Sequence, residues 1–76
     1  MSTAIRNDIR REVMNYLKRQ EAPVKMSNMA NELRETHQKL SAVRDADVRA
    51  VVQPMIVAGK ISYAPGLKIK LGATAK

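Results

Sequence analysis

The chain has 76 residues, enough for one domain, and its 14 Lys/Arg against seven Asp/Glu give a net charge of +7. With no Cys and a single His, His37, it holds neither a disulfide framework nor the donors for a metal site. No apolar run approaches the ~20 residues of a membrane span, and the N-terminus alternates apolar and charged residues, unlike a secretory leader. A cytoplasmic protein without a cofactor is expected.

The periodicity predicts helix 1 over Ala4–Arg19, where Ile5, Ile9, Val13, Tyr16 and Leu17 recur on one face. Ser2 or Thr3 is suited to cap its start, and Pro23 cannot continue it. Arg6, Arg10, Arg11 and Lys18 lie off the stripe. Such a basic amphipathic helix can rest on a membrane surface, but Asp8, Glu12 and Glu21 interrupt the basic face and the stripe is needed for a core. Val24–Met26, apolar–basic–apolar, reads as a short extended piece.

Helix 2 is expected to open at Ser27 as N-cap and to carry Met29, Ala30, Leu33, His37 and Leu40 along one side. Its outer limit is Leu40, with fraying from Thr36, and Ser41–Arg44 connects it to helix 3. Asp45 is the expected N-cap there, with Asp47 in the first turn. Val48, Val51, Val52, Met55 and Ile56 form the cleanest helical stripe in the chain. Pro54 interrupts it, which predicts a kink near Ala50 rather than a break, and Gly59 suits the left-handed C′ position.

Lys60–Tyr63 and Leu67–Leu71 alternate with period 2 and read as two strands. Ala64-Pro65-Gly66-Leu67 fits a type II turn between them. Lys68 and Lys70 share one strand face, and Leu67, Ile69 and Leu71 the other. Gly72–Lys76 reads as a loose tail beyond a core of about residues 4–71.

Three helices, a short extended piece after the first, and a terminal hairpin resemble the winged helix-turn-helix superfamily. The residues that carry the likeness are VKMSNMANEL at 24–33, DVRAVVQPMIVAGKI at 47–61, and the hairpin SYAPGLKIK. The fold class implied is α+β, mainly α, with a C-terminal hairpin as the wing. The resemblance implies a small protein that binds double-stranded DNA as a transcriptional regulator, associated with the nucleoid, with helix 3 in the major groove. Two departures from the pattern stand out: the segment between helices 2 and 3 is long and lacks Gly, and Pro54 lies inside helix 3.

The charge distribution agrees with that expectation. Residues 1–38 hold seven basic and five acidic residues, whereas residues 39–76 hold seven basic and two acidic, with no acid after Asp47. Opposite the stripe of helix 3 lie Ala46, Arg49, Ala50 and Gln53. The small residues allow close approach, Arg49 suits guanine and Gln53 suits adenine; the ordinary alternative is a solvated helix face. Lys68 and Lys70 suit phosphate contact on the wing, or protection of an exposed sheet edge. Arg44, Lys39, Lys25 and Asn28 are further phosphate candidates. Asp45 and Asp47 stand where phosphates approach, and oppose the reading unless they are used as caps.

No nucleophile–base pair, paired carboxylate or phosphate-cradling Gly loop is present, so an enzyme is not expected. With Tyr16 and Tyr63 as the only aromatics, a stacking platform for single strands is not expected either. A single module has a small footprint, so a homodimer or a protein partner is expected to accompany it on DNA. The rival reading is a winged-helix adaptor that binds another protein, and a third is a binder of structured RNA.

Overall fold

The computed structural model describes residues 2–73, so Thr74–Lys76 of the expected tail lie outside the described residues. The elements are α1 (Thr3–Arg19), β1 (Val24–Lys25), α2 (Met26–Thr36), a 3-10 turn (Gln38–Leu40), α3 (Asp45–Val57), β2 (Ile61–Ala64) and β3 (Lys68–Leu71). The layout is α+β and mainly α, three helices with a C-terminal antiparallel hairpin, as in a winged-helix-like arrangement.

The helices form where the apolar spacing demands. In α1 the Ser2 hydroxyl accepts from the Ile5 N–H at 3.2 Å, and Ile9, Val13, Tyr16 and Leu17 are buried. In α3 the buried side chains are Val48, Val51, Val52 and Met55. Together with Met29, Ala30 and Leu33 of α2, these stripes meet Ile61 and Ile69 of the sheet in one core. Each such aliphatic side chain contributes roughly 1.5–3 kcal/mol when fully removed from water. The core holds no buried polar or charged residue among those described.

Several local expectations are corrected. α2 opens at Met26 with Lys25 as its N-cap residue, so Ser27 is already inside the helix. The cause is β1: strand pairing holds Lys25 extended (φ −72°, ψ 140°), and the helix begins at once afterwards. α2 ends at Thr36, at the earlier of the two limits, and Leu40 reaches the core from the 3-10 turn instead. At α3 the N-cap is Arg44, and Asp45 is the first helical residue. Asp47 accepts the Arg44 N–H at 3.1 Å, one arm of a capping box.

Pro54 sits inside a helix that runs unbroken from Asp45 to Val57, so the alternative of two short pieces is not what forms. Both Pro54 and Ala50 are exposed. The Ala50 carbonyl, which loses its helical partner to the proline, is therefore open to water. The helix closes in a Schellman motif: Lys60 N–H donates to Met55 O at 2.9 Å and Gly59 N–H to Ile56 O at 3.0 Å, with Gly59 at φ 81°.

The sheet has three strands in the order β1-β3-β2, all antiparallel. β3 is thus the central strand, and Lys68, paired on both sides, is no edge lysine, whereas Lys70 has a partner only on β2. Leu67, expected to begin the strand, belongs to the loop: Gly66 at φ 85° is followed by Leu67 at φ 60°. For a leucine that conformation costs roughly 1–2 kcal/mol. The side chain is 91% exposed, so no packing offsets the cost.

Gly72 is buried rather than part of a loose tail, and its N–H donates to Lys60 O at 2.8 Å. A Cβ placed there would meet Gly59 O at 2.0 Å and Gly59 C at 2.8 Å, both backbone atoms that close α3. Gly72→Ala is therefore expected to destabilise the fold by about 1–3 kcal/mol through overpacking. Urea unfolding measures this, and a midpoint unchanged from wild type would refute the close approach.

Candidate nucleic-acid interface

Strand pairing builds the first part of the surface. Lys25 stands directly opposite Lys68, and Val24 opposite Ile69. Directly opposite residues share a sheet face, with Cβ atoms about 4.5–5.5 Å apart. Lys70, two residues along, lies on that same face beside Ser62, and Lys68 lies beside Ala64. One face of the sheet therefore presents Lys25, Lys68 and Lys70 with no acid among their strand partners. Like charges placed opposite each other destabilise a sheet unless an anion compensates them.

A groove of about 370 Å³ continues this surface onto the helices. It is lined by Lys25, Met26 and Ser27 at the start of α2, Arg49 of α3, and Gly66 and Leu67 of the wing tip. Lys25 belongs to both the lysine face and the groove, so it joins β3's lysines to Arg49. The Lys68 stem also lies near the wing tip, with Cε 3.9 Å from where a Gly66 Cβ would stand.

On α3, Ala46, Arg49, Ala50 and Gln53 are all exposed, as their spacing predicts. Gln53 has a partner the sequence did not suggest: the Tyr63 hydroxyl donates to its Oε1 at 3.3 Å. The contact uses the Gln53 carbonyl oxygen and leaves its amide N–H groups as donors. Tyr63 is 59% exposed, on the edge strand β2, and Val57 at the end of α3 is 82% exposed.

The remaining phosphate candidates separate from the groove. Lys39 and Arg44 share a different hollow, of about 260 Å³, with Ala42 and Asp47. None of its lining residues belongs to the wing groove. Asn28 is exposed in the first turn of α2.

The two acids that opposed the reading are both engaged. Asp45 Oδ1 accepts from Arg34 Nη1 at 2.7 Å, and Arg34 also donates to Val43 O at 3.2 Å and to Asn31 Oδ1. Arg34 thereby ties α2 to the connector and to the first residue of α3. Asp47 caps the Arg44 N–H. Sequence reasoning missed Arg34 because it lies off the apolar stripe and its partners are 9 and 11 residues away.

On α1 both acids, Asp8 and Glu12, are engaged. Arg11 binds Glu12 at 3.2 Å and Asp8 at 2.9 Å, and His37 Nε2 lies 3.3 Å from Glu12 Oε1. The Glu12 and Asp8 hydrogen bonds raise the Arg11 pKa above its ordinary value. The apolar stripe of α1 is spent in the core, which removes the face a membrane surface would need. Among the described residues no helix is long and apolar enough to cross a membrane.

Comparison with protein-family models, curated proteins and solved structures gave no significant match.

The Arg34–Asp45 pair is half-exposed, so its direct worth is about 0.2–1 kcal/mol. A double-mutant cycle with Arg34→Met and Asp45→Asn is expected to return a coupling in that range. Arg34→Met alone should cost more than Asp45→Asn, because it also leaves Val43 O without its donor. Equal single-mutant losses would show that the Val43 contact contributes nothing.

Proposed function

We propose that this chain belongs to the winged helix-turn-helix proteins and binds double-stranded DNA, as a small transcriptional regulator. The observation that carries the reading is the lysine face of Lys25, Lys68 and Lys70, joined through Lys25 to a groove that also holds Arg49 of α3. A continuous basic surface that runs from a hairpin to an exposed helix face fits a phosphate backbone beside a groove of bases. The exposed face of α3 suits the major groove. Ala46 and Ala50 keep it low, Arg49 can offer two donors to guanine, and Gln53 accepts from Tyr63 and keeps its amide N–H groups as donors. The engagement of Asp45 with Arg34 and of Asp47 with the α3 N-terminus lessens the electrostatic objection that these acids raise.

Lys25, Lys68 and Lys70 carry phosphate contacts in this reading, with Arg44, Lys39 and Asn28 at the periphery. The adaptor reading draws support from the exposed Val57, Tyr63 and Leu67. These residues suit a second copy or a protein partner as well as they suit an independent adaptor role.

Two measurements test the reading. Affinity for a random duplex should fall with salt at a slope of about −3.5 to −5.5 in log K against log salt, for four to six phosphate contacts. No binding at low salt would refute DNA as the partner and favour the adaptor.

Substitutions should then separate affinity from readout. Lys68→Ala with Lys70→Ala should weaken selected and random duplexes alike. Arg49→Ala should lower discrimination by about 1–3 kcal/mol and spare much of the non-specific binding. An equal loss on both duplexes for Arg49→Ala would remove α3 as the base-reading element.

A further inference from the structure

The wing tip combines three features that the binding of phosphates does not require. Leu67 is the one described non-glycine residue at positive φ, at 60°. Its side chain is 91% exposed, the highest exposure of any large apolar residue described. It stands on a basic hairpin, next to Lys68 and across the groove from Arg49. A polar residue at this position would suit both the solvent and, as Asn, the backbone. The loop instead holds a branched apolar side chain outward, in a conformation that leucine rarely adopts.

We propose that Leu67 is an apolar wedge that enters the minor groove of duplex DNA and partly unstacks a base step there. The inference rests on the duplex-DNA reading above. Its geometry follows from the groove. α3 supplies Arg49 on one side, the wing tip supplies Gly66 and Leu67 on another, and the start of α2 with Lys25 joins them. A phosphate strand seated on Lys25 and Lys68 would have the α3 face, with Arg49 toward the bases, on its major-groove side. The wing tip then lies on the other side of that strand, where the minor groove begins.

Leucine is among the side chains that unstack steps from the minor groove, and an apolar tip has no hydrogen bond to lose on entering it. The positive φ at both Gly66 and Leu67 turns the loop so that the side chain projects from the tip rather than folding onto the sheet. Lys68 and Lys25 behind it hold the flanking backbone by charge. Pyrimidine–purine steps, TA above all, unstack most easily and are the steps this wedge selects.

The test uses the full chain and a duplex of about 20 base pairs with 2-aminopurine beside a central TA step. Fluorescence anisotropy reads binding, and 2-aminopurine emission reads unstacking in the same sample. Leu67→Asn removes the apolar bulk and suits the left-handed backbone, so it should fold at least as well as wild type. Leu67→Met keeps apolar bulk. Wild type and Leu67→Met are expected to bind and raise the emission, whereas Leu67→Asn should bind with the rise lost. The same duplex with a GC step in place of TA should give a smaller rise with wild type.

Binding by wild type without a rise in emission would overturn the wedge and leave the duplex reading in place. A rise that persists with Leu67→Asn would likewise assign the unstacking elsewhere. No binding by wild type at low salt would overturn both together.

Discussion

Two residues, Val24 and Lys25, hold the helices and the wing in one frame. By pairing with Ile69 and Lys68 they turn a hairpin into a three-stranded sheet and make β3 its centre. An isolated hairpin is marginal in water, whereas a third strand and a packed face make a sheet that can persist. The same pairing fixes where α2 begins, because Lys25 is both the last strand residue and the N-cap residue. The start of α2 is thereby set beside the wing tip, and the groove with Arg49 exists because those elements are brought together there.

That frame also has an electrostatic price in stability. The register that places Val24 over Ile69 in the core necessarily places Lys25 opposite Lys68 on the outer face. A chain selected for stability alone would put an acid at one of these positions. Elsewhere the same molecule pairs charges closely, as in Asp8–Arg11–Glu12 on α1 and Arg34–Asp45 between α2 and α3. Lys25, Lys68 and Lys70 share one sheet face with no acid among their strand partners, and α1, with five basic residues against two acidic ones, carries a basic excess of its own.

The helices were legible because their signal is local. The stripes of α1 and α3 each repeat over several turns, and burial of Ile9, Val13, Val48, Val52 and Met55 follows from spacing alone. Gly59 was legible for the same reason, since a helix stop needs one residue with a free φ. What the sequence concealed was non-local. The alternation Val24–Lys25 marked an extended piece but not its partner strand, so Lys68 and Lys70 read equally well as edge lysines. The N-cap positions were shifted because Ser27 and Asp45 have capping chemistry, while strand pairing and the Arg34 bridge decided otherwise. Gly72 read as tail because nothing in its neighbours announces the backbone of Gly59 against it. In the candidate interface, residue identities were legible and their grouping was not. Lys25 gained a central place, and Lys39 and Arg44 moved to a separate hollow.

The size of the chain constrains how such an interface can work. A single module of this kind covers about 600–1,000 Å², between roughly an eighth and a fifth of the 4987 Å² surface. Phosphate contacts alone on so small an area give weak, salt-sensitive binding. Selectivity must then come from a few base contacts, from deformation of the duplex, or from a second module on the same strand. Arg49 and Gln53 are the side chains suited to the first, and Leu67 is placed for the second. Val57 and Tyr63, exposed beside α3 and on the uncovered edge strand, are placed for the third. Tyr63 links the third route to the first, because its hydroxyl donates to Gln53. Under the proposed duplex-DNA reading, a partner that covers Tyr63 would also cover its hydrogen bond to Gln53, and so couple assembly on DNA to the reading of its sequence.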